Sequence, residues 1–212
     1  MKKNVKDALI LTLITLISGV SLGAVHEITK NPIKQAREKA TQDAYRNVFE
    51  KADSFSKVKG FDKKEATSLI RKKGYKDDEI LNAMNAVDKS GKHLGYVITV
   101  VSHKGYGGDI TFSMGVTDKG VMNGYSITEI HETAGLGMKA ASDDPKSDKD
   151  FCDQFKGLKV GKLEVVKGTG KKKTDIDAMS GATITSRAMT GGVNAGFEYY
   201  KSKLVSGGDK NE

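Results

Sequence analysis

Residues 96–101 read Tyr-Val-Ile-Thr-Val-Val and predict a β-strand, because β-branched and aromatic side chains suit a pleated, half-buried surface. Residues 88–92, just before them, have the composition of a hairpin turn. After a glycine-rich loop, apolar residues in 110–116 alternate with polar or small ones, which is typical of a half-buried strand. A turn at 117–120 leads into another strand over 121–130. We therefore expect three or four consecutive strands in an antiparallel sheet.

Helices are predicted on both sides of this sheet. Residues 32–51 have apolar side chains at helical spacing, and Pro32 suits the first turn of a helix, where its missing N–H costs nothing. The other predicted elements are a helix over 62–73, a helix or strand over 78–87, a short helix over 147–156, a short strand over 163–166, and a helix from Thr185 to about Lys203. A strand meander flanked by helices predicts an α+β fold.

An apolar segment near the N-terminus predicts a single membrane-spanning helix. Residues 8–25 contain no charged side chain, and as a helix they would extend about 27 Å, close to the thickness of a bilayer hydrocarbon core. Because Lys2, Lys3 and Lys6 precede this segment, we expect residues 1–7 in the cytoplasm and the globular part outside it. The alternative is a cleaved signal peptide, although the apolar region of such peptides is usually about 7–15 residues long.

Composition and charge exclude several kinds of site. The formal charge is +8, from 35 Lys and Arg against 27 Asp and Glu, but the basic residues are mostly scattered and no nucleic-acid-binding signature accompanies them. Cys152 is the single cysteine, so this chain alone cannot form an intramolecular disulfide or a four-cysteine metal cluster. The histidines lack the paired spacing of metal ligands, and we expect no metal site. Cys152 is predicted to be a small apolar residue on a helix.

The most informative motif lies directly before the last predicted helix. Residues 177–186 read Asp-Ala-Met-Ser-Gly-Ala-Thr-Ile-Thr-Ser. Small residues allow a ligand to approach the backbone, and a helix N-terminus offers unpaired N–H groups and a partial positive charge that suit a phosphate. The residues alone also fit plain capping of the helix by Thr183, Thr185 or Ser186.

Residues 177–183 resemble the Asp-x-x-(Ser/Thr)-Gly-Ala-Thr flavinylation motif of the bacterial covalent FMN-binding domain family. This family includes the G subunit of the Rnf complex and the C subunit of the sodium-translocating NADH:quinone oxidoreductase. The resemblance implies that Thr183 carries FMN through a phosphoester bond to its hydroxyl, attached by a flavin transferase with FAD as donor. It also implies that Asp177 belongs to the flavinylation motif and that Ser180, Gly181, Ala182 and Thr185 contact the cofactor.

A second segment is similar to another loop of the same family. Residues 131–137 read His-Glu-Thr-Ala-Gly-Leu-Gly, like the family's Glu-Thr-Pro-Gly-Leu-Gly loop beside the flavin, except that Ala134 replaces the usual proline. Residues 105–110 also resemble the start of the family's FMN-binding domain. The residues alone would fit a turn that ends a strand. The resemblance implies cofactor contacts by His131, Glu132, Thr133, Leu136 and Gly137.

The resemblance covers nearly the whole chain. The length of the chain favours the Rnf G subunit, because the C subunit is usually longer. The resemblance implies an electron-transfer subunit of a membrane-bound ferredoxin:NAD oxidoreductase that translocates sodium ions or protons with other membrane subunits. The C-type subunit, a stand-alone extracellular flavin carrier and a non-redox anchored binding domain are the alternatives. We divide the chain into a cytoplasmic flank (1–7), a transmembrane helix (8–25), a stalk or packing helix region (26–58), an extracytoplasmic FMN-binding domain (59–205, core about 105–203) and a flexible tail (206–212).

Overall fold

The structure is a computed structural model that describes residues 2–141, 149–168, 170 and 172–205. The chain divides into two compact units, Met1–Ala40 and Thr41–Glu212. The predicted tail, 206–212, lies outside the described residues.

Helix α1 (Lys2–Val48) forms the first unit and contributes its last turns to the second. Its most apolar 18-residue window has a mean hydropathy of 2.3 and is fully exposed. By length and composition, it is the one helix among the described residues that could cross a membrane. The prediction that a helix begins at Pro32 is wrong, because α1 continues through this residue. A proline inside a helix removes one backbone hydrogen bond and crowds the carbonyl four residues earlier, at a cost of about 3 kcal/mol, and α1 continues in spite of that cost.

The second unit contains a five-stranded antiparallel sheet in which the strands are ordered as in the chain. This confirms the predicted α+β fold with an antiparallel sheet, although only three or four strands were expected. The ambiguous segment 78–87 is a strand, and a further strand lies within 26–58, where a stalk or packing helix was predicted. The strands are β1 (Ser54–Lys57), β2 (Asp78–Val87), β3 (His93–Ser102), β4 (Ile110–Thr117) and β5 (Met122–Glu129).

Both faces of the sheet are covered. Residues of β3 alternate between the faces: Val97 packs with Tyr45 of α1, whereas Ile98 and Val100 belong to the larger core on the other side. This double coverage explains why 96–101 is an almost continuous apolar run. The larger core lies beneath α4 (Thr183–Tyr199), which is buried along most of its length.

The remaining elements surround this core. The predicted helix over 62–73 is confirmed as α2, and the last helix begins two residues earlier than predicted, at Thr183. The start of the predicted helix over 147–156 lies outside the described residues, and the part described is shorter. Cys152 is buried on that helix, as predicted. These elements are α2 (Lys63–Lys72), a 3-10 turn (Gly137–Ala140), α3 (Lys149–Asp153), the parallel strands β6 (Glu164–Val166) and β7 (Asp175–Asp177), and a π-helical turn (Tyr200–Val205).

Candidate functional site

Residues 177–186 make a tight turn from β7 into α4. Gly181 has a φ of 74°, a left-handed conformation that glycine adopts without a steric penalty. A Cβ at this position would lie 3.0 Å from Leu136 Cδ2, so the turn packs against the loop that carries Leu136. The N-cap of α4 is Ala182, which has no side-chain oxygen to bind the first amides of the helix. By the geometry of any helix start, these amides lack intrahelical partners.

The three hydroxyls of the first turn of α4 have different surroundings. Ser186 Oγ donates to Ala182 O over 2.9 Å and accepts from Met179 N over 3.0 Å, so it closes the turn internally. Thr185 Oγ1 donates to Glu132 Oε2 over 3.0 Å. The Thr183 hydroxyl makes no hydrogen bond to any residue that the structure describes. Since Ala182 is the N-cap, capping of α4 by Thr183, Thr185 or Ser186 is not what the structure shows.

Glu132 is buried, with 8% of its surface exposed, and joins two separate segments. One oxygen, Oε2, accepts the Thr185 hydrogen bond, and Oε1 accepts one from Gly107 N over 3.3 Å. Glycine is needed beside this carboxylate, because a Cβ at position 137 would lie 2.6 Å from both Glu132 Oε2 and Thr185 Oγ1. A Cβ at Gly105 would lie 2.8 Å from Glu132 Oε1. The carboxylate is therefore enclosed by backbone on two sides.

A pocket of about 560 Å³ opens between these segments. Glu132 is the one charged side chain among the described residues that line it. The sequence-predicted residues Glu132, Thr133, Leu136, Gly137, Gly181, Ala182, Thr183 and Thr185 line this pocket together. Tyr106 and Ile184 line it as well.

Three other predicted site residues do not line the pocket. His131 is exposed, and its Nε2 lies 3.5 Å from Glu129 Oε1. Ser180 is exposed on the turn. Asp177 Oδ1 accepts a 2.6 Å hydrogen bond from Gly170 N, and the backbone N–H of Asp177 donates to Gln154 Oε1 over 2.6 Å. These hydrogen bonds hold the residues just before the turn in place, and Asp177 itself does not line the pocket.

Tyr106 and Ile184 were not predicted as site residues. Tyr106 is 71% exposed and lies in a loop between β3 and β4 that we call the Tyr106 loop (residues 103–109). Ile184 is 51% exposed on the first turn of α4. The signals available in the sequence were an aromatic residue between glycines and an apolar side chain directly after Thr183.

Charged groups hold the two ends of the Tyr106 loop. His103 Nδ1 lies 2.8 Å from Asp109 Oδ1, and its Nε2 lies 3.6 Å from Glu79 Oε1 on β2. Lys104 Nζ pairs with Asp77 Oδ2 over 2.8 Å. The hydrogen bond to Asp109 raises the pKa of His103 above its ordinary value, and the charge of Glu79 adds to the effect.

Comparison with known proteins identifies the family. The FMN-binding domain family matches residues 105–198, a range that contains every residue lining the pocket. The chain is 36% identical over 188 residues to the G subunit of the proton-translocating ferredoxin:NAD(+) oxidoreductase complex of Clostridium ljungdahlii, covering 89% of this chain and 86% of that protein. The chain belongs to the Rnf G subunit family.

A second G subunit and a solved C subunit are also similar to this chain. The G subunit of the Na(+)-translocating ferredoxin:NAD(+) oxidoreductase complex of Acetobacterium woodii, from the same Rnf G subunit family, is 32% identical over 199 residues, covering 93% of this chain and 91% of that protein. A solved structure of the C subunit of the Na(+)-translocating NADH-quinone reductase from Parabacteroides distasonis is 20% identical, with a TM-score of 0.49, covering 80% of this chain and 94% of that chain.

Proposed function

We propose that this chain is the electron-transfer subunit of a membrane-bound, ion-translocating ferredoxin:NAD oxidoreductase complex, and that it carries FMN covalently on Thr183. Family membership and the FMN-binding domain match support the electron-transfer role. One structural observation supports the attachment site: Thr183 lines the pocket at the start of α4, and its hydroxyl makes no hydrogen bond to any described residue.

The residues of the pocket fit FMN. Its volume of about 560 Å³ lies within the range of ~300–1,000 Å³ that is usual for ligand pockets. Tyr106, Leu136 and Ile184 present exposed apolar surface there, which suits a large aromatic ring system. The unpaired amides at the start of α4 suit a phosphate group. The two kinds of contact lie in one pocket, as a molecule with a ring at one end and a phosphate at the other requires.

The chain's residues have distinct tasks in this proposal. Thr183 holds the cofactor: its oxygen bonds to the FMN phosphorus of FAD, AMP leaves, and the hydroxyl proton is released. A flavin transferase catalyses this step, and no residue of this chain is itself catalytic. FMN supplies the redox chemistry when bound, while the protein orients the ring and excludes side reactions. A covalent link suits a location outside the cytoplasm, where lost FMN would not be replaced.

We propose that α1 is retained as a single membrane anchor, with residues 1–7 in the cytoplasm and the FMN-binding domain outside it. Support comes from the exposed apolar surface of α1, including Leu9, Leu16 and Leu22, since lipid would cover it. The lysines before the apolar segment set the direction. The other partners are the remaining membrane subunits of the complex, and the coupling ion is sodium or the proton. Protection of the domain from protease added to intact spheroplasts would contradict this orientation.

The attachment is tested on the full chain purified from cells that contain the flavin transferase. We expect flavin fluorescence to remain with the denatured polypeptide, and the peptide containing Thr183 to be heavier by one FMN less one water. Thr183→Ala should abolish both signals and retain the folded domain. The control is Thr128→Ala, which removes a partly buried threonine hydroxyl of β5 outside the pocket and should leave the attached flavin in place. An unmodified wild-type peptide, or flavin retained by Thr183→Ala, would contradict the proposal.

Membership of the complex is tested by affinity purification of the chain from its native membranes in mild detergent. We expect multi-span membrane subunits to co-purify with it. Isolation of the chain by itself, with flavin attached, would support the stand-alone flavin carrier instead. Salt-sensitive binding to anionic surfaces without any flavin would support the non-redox binding domain.

A further inference from the structure

The Glu132 carboxylate connects two walls of the pocket that come from distant parts of the chain. Gly107, in the Tyr106 loop, is 25 residues before Glu132, and Thr185, in the first turn of α4, is 53 residues after it. Each segment also carries a side chain that lines the pocket, Tyr106 in the loop and Thr183 in the helix. One buried side chain therefore spans the two walls.

We propose that Glu132 is a positioning residue that fixes the separation between the Tyr106 loop and the first turn of α4, and thereby sets the width of the pocket. This role differs from the direct cofactor contact that the family resemblance implies for Glu132. It depends on the proposed function only where flavin is measured, because the two hydrogen bonds are present without it.

A carboxylate has the chemistry that this position requires. A carboxylate offers an acceptor oxygen to each of its two donors, a hydroxyl and a backbone N–H. Glutamine would preserve both contacts, because the Thr185 hydroxyl can also accept from an NH₂ group. Methionine has a similar length and no oxygen, so Glu132→Met would leave both donors without this acceptor. The side chain has little room to rearrange, because the backbones at Gly105 and Gly137 approach the two oxygens closely.

A second contact holds the Tyr106 loop against the segment that contains Glu132. A Cβ at Gly107 would lie 1.9 Å from His131 O, so the loop packs directly on the backbone that precedes Glu132. The hydrogen bond from Gly107 N to Glu132 therefore joins two chain segments that already lie against each other. Loss of this hydrogen bond would free the Tyr106 loop at Gly107, which directly follows the pocket-lining residue Tyr106.

The first experiment needs no flavin. Amide hydrogen exchange is measured by mass spectrometry on the full chain in detergent, produced without the transferase. We expect Glu132→Met to increase exchange about tenfold in peptides that cover Gly107 and the first turn of α4, as the loss of one hydrogen bond predicts. Thr185→Val should have the same effect on the helix peptide. The matched control is Thr190→Val, another buried threonine of α4, whose hydroxyl donates to Ser186 O in its own helix. Exchange in Glu132→Met equal to wild type would overturn the proposal.

The second experiment separates positioning from direct contact with the cofactor. The visible absorption spectrum and midpoint potential of the attached flavin are measured in Glu132→Met, Thr185→Val and the double variant. Thr185→Val keeps the Glu132 side chain and removes only its hydroxyl partner. A positioning role predicts that both single variants shift these values, and that the double variant shifts them no further than Glu132→Met.

The outcomes also separate this proposal from the proposed function. A shift in Glu132→Met with no shift in Thr185→Val, or strictly additive shifts, would indicate direct cofactor contact and overturn the positioning role. A wild-type chain without flavin would contradict the proposed function. The exchange experiment would then still decide whether Glu132 holds the two segments together.

Discussion

Gly192 of α4 lies directly against the ring of Phe112 on β4, so closely that a Cβ at position 192 would come within 2.9 Å of two ring carbons. The next glycine along this face, Gly196, is closer still to its neighbour, since a Cβ there would lie 2.3 Å from Met114 Sδ. The backbone of α4 therefore packs directly against side chains of the sheet along one stripe. Gly191, one residue earlier than Gly192, faces open space.

This contact predicts opposite effects for two neighbouring substitutions. Gly192→Ala should destabilise the domain by about 1–3 kcal/mol, because the added methyl group overpacks the core against Phe112. Gly191→Ala should stabilise it by up to about 1 kcal/mol, because alanine favours the helix and meets no atom. The shifts in Tm, roughly 2–4 °C per kcal/mol for a chain of this size, can be measured by thermal unfolding. Equal effects of the two variants would show that α4 does not pack in this way.

Gly181→Ala should lower both stability and flavin attachment. Alanine in the left-handed conformation of Gly181 costs about 1–2 kcal/mol, and its Cβ would press on Leu136 at the edge of the pocket. The control is Gly168→Ala, since Gly168 has a similar φ of 88° with no neighbour within 4 Å. We expect a comparable loss of Tm in both variants, measured by thermal unfolding, but reduced flavin per chain only in Gly181→Ala. Reduced flavin in Gly168→Ala would indicate a general effect of instability.

The ion pair of His103 predicts a pH-dependent contribution to stability. The pKa of His103 is raised in the folded state, chiefly by its hydrogen bond to Asp109. The stabilisation is therefore complete below the unfolded value of about 6.5, and it is lost as the pH rises through the folded value. His103→Gln should be less stable than wild type at about pH 5.5, by less than about 1 kcal/mol for such an exposed pair, and equal to it at high pH.

This pH dependence is measured by thermal unfolding across the range. Asp109→Asn removes the main partner and should abolish most of the same stabilisation, and the double variant should lose little more. A difference between wild type and His103→Gln that does not change with pH would contradict the assignment.

Asp78 also predicts a loss of stability as the pH rises, in a more acidic range than that of His103. Its side chain is buried, its Oδ1 has no hydrogen-bond partner among the described residues, and burial raises its pKa above the ordinary value. Because the folded state holds the proton more tightly, stability falls as the pH rises from about 4 through the folded pKa. Asp78→Asn should match wild type at low pH and exceed its stability at neutral pH, because the amide carries no charge that burial would desolvate.

Asp88 provides the control for this prediction. Its pKa is lowered by hydrogen bonds from Ser90 and Lys92, so its stabilising effect is present above the unfolded pKa and lost on acidification. Asp88→Asn should therefore be less stable than wild type at neutral pH and similar to it in acid. Thermal unfolding at several pH values measures both variants, and a shared direction of change would contradict the assignments.

The elements that the sequence predicted well are those with a local pattern. Alternation along 110–116 and the β-branched run 96–101 are sufficient to identify strands. The short strands β1 and β7 were missed because their few residues form no such pattern and are defined by their partners. The continuity of α1 through Pro32 was missed because a proline is equally compatible with the start of a helix.

The same distinction between local sequence patterns and contacts across the fold applies to the candidate site. The 177–183 motif and the 131–137 loop identified most residues that line the pocket, but only the fold shows that these segments meet. The link between Glu132 and Thr185 joins residues 53 positions apart and has no local signature. Tyr106 was missed for the same reason, and the side chain of His131 turned out to be exposed outside the pocket.

The burial of α4 also limits how a modifying enzyme can reach Thr183. Residues further along this helix, among them Met189, Val193 and Phe197, are buried in the core. Pulling them out would cost about 1.5–3 kcal/mol each, a sum comparable to the entire stability of a typical domain. If the proposed transferase acts on the folded chain, its cleft must therefore accept the start of α4 in its folded shape, and the enzyme would recognise that shape together with residues 177–183.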